Sequence, residues 1–403
     1  MHQRRALKLY TRALANFRQL LEQDQVDSPY ALLSCILFTS VEFMQGNERN
    51  ARGLMESGYR ILNQSLCSSG TSPPYSAILE VVSTFFSRHA VVLATLSNPF
   101  PPEWNKPFDD DSSSSSSSDS SMLAVASEFD KFREQLYHLM YKAYRIVRVT
   151  MLFSQSEYEM ERLKPKQQEL VQEVEQWKER FVNLWSREKR PGSDWVSSKV
   201  LMQWGVCYIW LSCCTSPFQT AFDAHREDFA AIIDHAEELL HYMMDPSRGK
   251  ELTFDPEIIP ALYFSATKCR DPLLRRRALR LIRQAPQHES LWESISSERV
   301  VEKVIAIEEG HVQGCSCDLL ASTDPSSLPL PPEGRRVHHI GITRQEAPGR
   351  SPSLALQLSK PAANAKGPTQ MVHENVWLES DINCPIGPLV YGDSFQNRLR
   401  YRS

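Results

Sequence analysis

Three observations predict an all-α fold, a bundle of packed helical hairpins. Apolar residues recur at three- and four-residue steps through most of the chain as far as Gly310, no run reads convincingly as an alternating strand, and the breaks are rich in Asp, Ser, Pro and Gly. The chain has 403 residues, 41% hydrophobic and 23% charged, enough to bury at least one large core. Residues 1–108 and 122–310 read as two parts of one helical domain. Between them, 109–121 is DDDSSSSSSSDSS, a tract with nothing to bury and strong self-repulsion, expected as a disordered surface loop. Residues 311–403 turn to Pro, Ser, Gly and Ala (SSLPLPPEG, APGRSPS, KPAANAKGP) and are expected to be a mostly mobile tail.

The elements follow in order. Leu7, Tyr10, Leu14, Phe17 and Leu21 mark an amphipathic helix from Arg4 to Gln23. Asp27 or Ser28 caps the next, with Pro29 in its first turn. Tyr30 to Met44 is apolar on nearly every side, which predicts a central helix, ended by Gly46 and Asn47. Glu48 to Leu62 completes a hairpin, with Gly58 placed where a close crossing excludes a side chain. Pro74 to Leu96 is a further apolar helix, and another runs through Phe129, Phe132, Leu136, Met140 and Val147. In the charged segment Glu161 to Arg190, Leu170, Val174, Trp177, Phe181 and Leu184 form a short coiled-coil-like seam, best read as packing inside its own domain. Further helices are predicted at Val196 to Cys214, Phe222 to Met244, Ile258 to Thr267, Asp271 to Arg283 and Ser297 to Glu309.

Composition narrows the function. A net charge of -4 and a pI near 6.3 argue against a chain that coats nucleic acid. Met1 to Tyr10 has no apolar secretion core, and Val200 to Cys214 falls short of the roughly 20 apolar residues that cross a bilayer. Nine scattered cysteines suit reduced thiols inside the cell. There is no nucleophile elbow, P-loop, strand-linked G-x-G-x-x-G or H-E-x-x-H, so no enzyme and no cofactor is expected. His311, Cys315 and Cys317, with His338 and His339, have zinc-type chemistry without the C-x2-C pairs of a structural site, and no metal is expected there. Cys207, Cys213 and Cys214 read as small core residues. Ser116, three residues before Asp119, fits an acidophilic kinase, although a plain spacer is the simpler reading.

The strongest local charge signal is KCRDPLLRRRALRLIR, Lys268 to Arg283. Asp271 and Pro272 open a helix with a stripe of Leu274, Ala278, Leu281 and Ala285, placing Arg276, Arg280 and Arg283 on the other face. Arg275, Arg276, Arg277, Arg280 and Arg283 therefore form a candidate nuclear-import signal or patch for an acidic partner. The structural alternative is a solvated face whose arginine stems cover apolar surface.

Three segments together resemble the regulatory region of fungal zinc-cluster transcription factors, of the kind found in secondary-metabolite gene clusters. They are ALLSCILFTSVEFMQGNERNARGLMESGYRIL (Ala31 to Leu62), KCRDPLLRRRALRLIRQAPQHESLWES (Lys268 to Ser294), and IEEG (Ile307 to Gly310) with PEGRRVHHIGI (Pro332 to Ile342). In this reading Glu42, Gly46 and Gly58 organise a hairpin and Trp292 anchors a helix. The resemblance implies a transcriptional regulator in the nucleus, with transcription-machinery or regulator proteins as partners, a homodimer among the arrangements, and no membrane. Family members usually begin with six closely spaced cysteines that hold two zinc ions in the DNA-binding module. The first 200 residues here contain only Cys35 and Cys67, so direct DNA binding is not implied. The alternative is a helical-repeat interaction scaffold, which needs a sustained period of about 34 residues.

Overall fold

The computed structural model describes residues 2–23, 27–44, 48–67, 82, 85–86, 128–152, 156–188, 194–245, 258–286, 288–289, 292–310, 328–345, 353–361 and 371–378. The chain divides into two compact units, Met1–Phe86 and Ser87–Ser403. The Asp/Ser tract, most of the predicted helix at 74–96, and Gly46 and Asn47 lie outside the described residues.

The first unit contains α1 (His2–Glu22), α2 (Ser28–Met44) and α3 (Glu48–Cys67). The apolar stripe of α1 sets Tyr10 and Phe17 edge-on to Phe38 of α2, at 5.8 and 5.6 Å between ring centres. Pro29 occupies the first turn of α2, where its missing N–H removes no helical bond. One face of α2 is buried through Leu32, Cys35, Thr39 and Glu42, but Tyr30 and Leu37 stand 56% and 66% exposed. The helix is thus central on one side only, a limit that its uniform apolarity hid.

Glu42 is the polar joint of this unit. Its carboxylate accepts from the Tyr10 hydroxyl at 2.5 Å and from Asn50 Nδ2 at 3.4 Å, so one buried anion ties α1, α2 and α3 together. Burial, then the bond to Glu42 and its charge, pushes the Tyr10 phenol far above its ordinary pKa. Gly58 does exclude a side chain, and the neighbour that demands it is a ring: a Cβ there would lie 2.2 Å from Phe86 Cζ. Tyr59 donates its hydroxyl to the Phe86 carbonyl beside it.

The second unit begins with α4 (Glu128–Leu152), α5 (Glu157–Glu188) and α6 (Asp194–Cys213). The predicted seam on α5 is consumed within the unit. Leu170, Val174, Trp177 and Phe181 are buried, Trp177 stacks on Phe181 at 5.0 Å, and its indole N–H donates to the Phe132 carbonyl of α4 at 3.1 Å. Helix α6 is apolar all round because it is covered on two sides. Trp204 donates to the Val174 carbonyl of α5 at 2.8 Å, while Met202, Val206 and Ile209 enter the main core. Cys207 and Cys213 are buried and Cys214 partly so, and burial lifts all three thiols to about 12.

A 3-10 turn, Gln219–His225, leads into α7 (Arg226–Met243), followed by α8 (Ile259–Lys268), α9 (Pro272–Gln284), the two-residue strands β1 (His288–Glu289) and β2 (Trp292–Glu293), and α10 (Ser294–Glu309). Helices α6 to α10 share one core that includes Phe229, Ile233, Leu262, Ala278, Ile282 and Ile305. Asp271 caps α9 as its sequence predicts, its carboxylate accepting from the N–H groups of Leu273 and Leu274 at 3.0 Å each. The cap of α8 comes from far along the chain: Glu289 accepts from Ile258 and Ile259 N–H at 2.9 Å each. Trp292 packs on Tyr263 at 5.2 Å, fixing the entry to α10.

The all-α reading holds, with one addition in the region expected to be mostly mobile. β3 (His339–Gln345), β4 (Ser353–Pro361) and β5 (Met371–Leu378) form an antiparallel sheet in the order β3-β4-β5. Ile342 faces Leu356, and Leu356 faces Val376, in the pairing register. Ile342, Leu356 and Leu358 pack with Val337 on Val300 and Val304 of α10. The alternation Leu354, Leu356, Leu358 is short and carries no β-branched residue, which is why it reads as tail.

Gly58→Ala is expected to destabilise the protein by about 1–3 kcal/mol through overpacking against Phe86. Thermal or urea unfolding checks this. Adding Phe86→Leu should recover much of the loss, and an unchanged midpoint for the single variant would refute the contact.

Candidate functional site

Segments distant in sequence converge at the ends of α8 and α10. The link Cys269–Asp271, the start of α9, the end of α10, the Gln219–His225 turn and the strap Pro331–His338, which holds a 3-10 turn at Glu333–Arg335, all contribute charged side chains. At the centre is Glu308, whose side chain has no exposure. Its Oε1 accepts from Arg270 at 3.1 Å and from the Val337 N–H at 2.8 Å, and its Oε2 accepts from Arg275 at 2.8 Å. Both arginine side chains are also fully buried.

Around this triad lie paired groups. Arg276 forks onto Glu309 at 2.9 and 2.6 Å. Arg336 forks onto Asp223 at 2.7 Å on both arms and donates from Nε to the Pro331 carbonyl at 2.8 Å. Glu333 accepts from the N–H groups of Gln219 and Thr220 at 2.9 Å each and lies 2.7 Å from His338 Nε2. Lys268 donates to Gln219 Oε1 at 2.9 Å and to the His338 carbonyl at 2.8 Å.

The electrostatics follow from this geometry. Burial works to raise the pKa of Glu308, but Arg270, Arg275 and the Val337 N–H outweigh it, so the net shift is downward. Glu333 is likewise opposed by burial and still brought down to about 2 by His338 and the two backbone donors. Both carboxylates stay ionised at neutral pH and act as fixed acceptors, with no proton to give. Lys268 goes the other way: burial first, then Arg270, lowers it to about 7 against the pull of Glu308, Cys213 and Glu333.

The arginines singled out in the sequence are spread over several partners. Arg275 faces inward, and Arg276 turns to α10. Arg277 reaches Asp234 at 2.6 Å and also Glu237 on α7. Arg283 reaches Glu298 at 2.6 Å and also Glu302 on α10. Arg280 is exposed. Arg280 and Arg283 are exposed on the face opposite the apolar stripe, whereas the patch is corrected for Arg275, wholly buried against Glu308, and for Arg276, drawn in against Glu309, because the end of α10 presents acidic groups to that flank of α9. Sequence reasoning missed the receiving groups Glu308, Glu309, Asp223 and Glu333, and the cations Lys268, Arg270 and Arg336. Most of them stand in the KCRDP, IEEG and PEGRRVHH motifs, a signal that was visible without its pairing.

The other polar constellation is Ser198, whose Oγ lies 2.5 Å from Glu238 Oε2 and 3.0 Å from His235 Nδ1. The serine sits between acid and imidazole, whereas a nucleophile relay places the imidazole between the other two. It clasps α6 to α7. Among the described residues no group of three or more His, Cys, Asp and Glu could hold a metal ion. His338 bonds Glu333, His339 stands on β3, and His311, Cys315 and Cys317 lie outside the described residues. No helix among the described residues is long and apolar enough to cross a membrane. Comparison with protein-family models, with curated proteins and with solved structures returned no match.

Glu308→Gln is expected to cost about 3–5 kcal/mol at neutral pH, since it leaves two buried guanidinium groups without their anion. Because the folded pKa lies below the ordinary 4.5, the carboxylate's contribution is complete above that value and is lost as pH falls through the folded pKa. Urea unfolding at neutral and acid pH checks both points. A variant as stable as the parent would remove Glu308 from the centre of the network.

Proposed function

We propose that the chain is a transcriptional regulatory module of the fungal zinc-cluster factor type, acting in the nucleus through protein partners. The observation that supports this reading is the convergence of two of the three resembling segments. Lys268, Arg270, Arg275 and Arg276 from the middle one meet Glu308, Glu309, Val337 and His338 from the last. Motif residues that lie far apart in sequence and share one buried cluster behave as the determinants of a common domain. Control of a secondary-metabolite cluster and self-association belong to the same proposal.

The arginine patch enters it in narrower form. Arg275 and Arg276 are committed to α10, so an acidic partner or import receptor would reach Arg280 and the outer edges of Arg277 and Arg283. The scaffold alternative gains little support from helices that vary from 10 residues in α8 to 32 in α5, since a repeat needs equal units.

Fused to an unrelated DNA-binding domain, the full chain is expected to change the output of a reporter gene several-fold in a fungal host. A fusion that is stably made, nuclear and without effect on the reporter would overturn the proposal. Arg280→Glu is expected to reduce nuclear accumulation of the unfused chain if the patch serves import, read by fluorescence microscopy.

A further inference from the structure

The buried cluster holds one cation more than it has anions: Lys268, Arg270, Arg275, Arg276 and Arg336 against Asp223, Glu308, Glu309 and Glu333. Each arginine has a carboxylate partner, whereas the ammonium of Lys268 is bonded to two neutral oxygens, Gln219 Oε1 and the His338 carbonyl. The surplus charge is therefore carried by a lysine, the one kind of cation here that can shed its proton without leaving the physiological range.

Its position matters. The strap Pro331–His338 has one turn of 3-10 helix, Glu333–Arg335, joins the sheet only at its end, where the His338 N–H donates to the Ser359 carbonyl at 2.8 Å, and is fastened to the helical block mainly by polar bonds. Glu333 holds the 3-10 turn, Arg336 holds Asp223, Glu308 holds the Val337 N–H, Arg270 donates to the Val337 carbonyl at 3.1 Å, and Lys268 holds the His338 carbonyl. β3 begins at the next residue, so the strap also sets where the sheet lies on α10.

We propose that Lys268 is a proton-controlled pin for this strap, which grips when the amine is neutral and loosens when it is protonated. The groups facing the amine are Cys213 from the end of α6, Gln219 and the Phe222 ring from the 3-10 turn, Arg270 from the following link, Glu308 from α10, Glu333 and His338 from the strap, and His339 from β3. A protonated Lys268 adds a cation without a hydrogen-bonded carboxylate beside Arg270, in a site where burial already penalises charge. Opening the strap returns the ammonium to water and removes that penalty. A neutral amine keeps two N–H donors, enough for both of its acceptors. With the folded pKa near 7 and the ordinary value at 10.5, the closed form binds fewer protons than the open form between those limits, so closure strengthens as pH rises through that window.

The device is a property of the fold and stands whether or not the module works in transcription. Hydrogen exchange of the full chain tests it, with intrinsic rates removed. Protection of the Val337 amide, which donates to Glu308 on the helical block, should rise about tenfold from about pH 7 to about pH 8.5. Lys268→Arg, with a permanent charge, should lose that slope and stay at the weakly protected level. Lys268→Met, with neither charge nor donors, should lose it too. A slope that survives in either variant would overturn the proposal by placing the proton elsewhere, for example in the Glu333–His338 contact. Should the variants not fold, the Cε resonance of Lys268 in the carbon-labelled parent decides: titration near neutrality supports the pin, and titration above about pH 9 overturns it.

Discussion

The second unit depends on a single carboxylate. Glu308 is wholly withdrawn from water, and its three donors come from three places: the link before α9, α9 itself, and the strap that precedes the sheet. Two guanidinium groups and a peptide N–H are costly to bury unless each finds an acceptor, and here the acceptor is shared. The end of α10, the start of α9 and the path of residues 331–338 are consequently fixed together. The sheet inherits its place on Val300 and Val304 from that arrangement.

Charge at this position supplies direction, which apolar packing does not. A hydrophobic cluster of equal size would hold the same segments at no greater cost and would tolerate sliding. A forked arginine on a carboxylate accepts few orientations. The strap needs that precision because it is short, has only one turn of 3-10 helix at Glu333–Arg335 and carries two prolines, Pro331 and Pro332, that cannot donate. The same device recurs. Glu289 closes the N-terminus of α8, Glu333 closes the 3-10 turn, and in the first unit Glu42 joins three helices. Each is a carboxylate that satisfies groups belonging to another element, and so each substitutes for a longer interface.

This explains what the sequence made legible. Helix positions were readable because periodicity and caps are local: Pro29, and Asp271 with Pro272, stand where a helix start requires them. The seam on α5 was readable as internal packing because it is short. The start of α7 was not, since the Gln219–His225 turn owes its form to Glu333, more than a hundred residues away. Nor was the orientation of the arginines. A helical wheel shows where a side chain leaves the backbone and not what waits beyond, and Glu309 lies 33 residues after Arg276. The candidate site was legible as three motifs, not as one place, because the ion pairs and hydrogen bonds that unite them join residues far apart in sequence.

A network of this kind is stiff by construction. Glu308 and Glu333 are held ionised by their neighbours, and the arginines keep their charge at any pH that a cell reaches. A signal that is to move the strap must therefore act where the charge balance is least secure. Lys268 is such a place, since its ammonium has no carboxylate of its own and its nearest charged neighbour in sequence is another cation, Arg270. The strap's other fastenings set how far it can open, and the lysine sets how readily. A rigid frame and one loosely balanced contact thus occupy the same cluster.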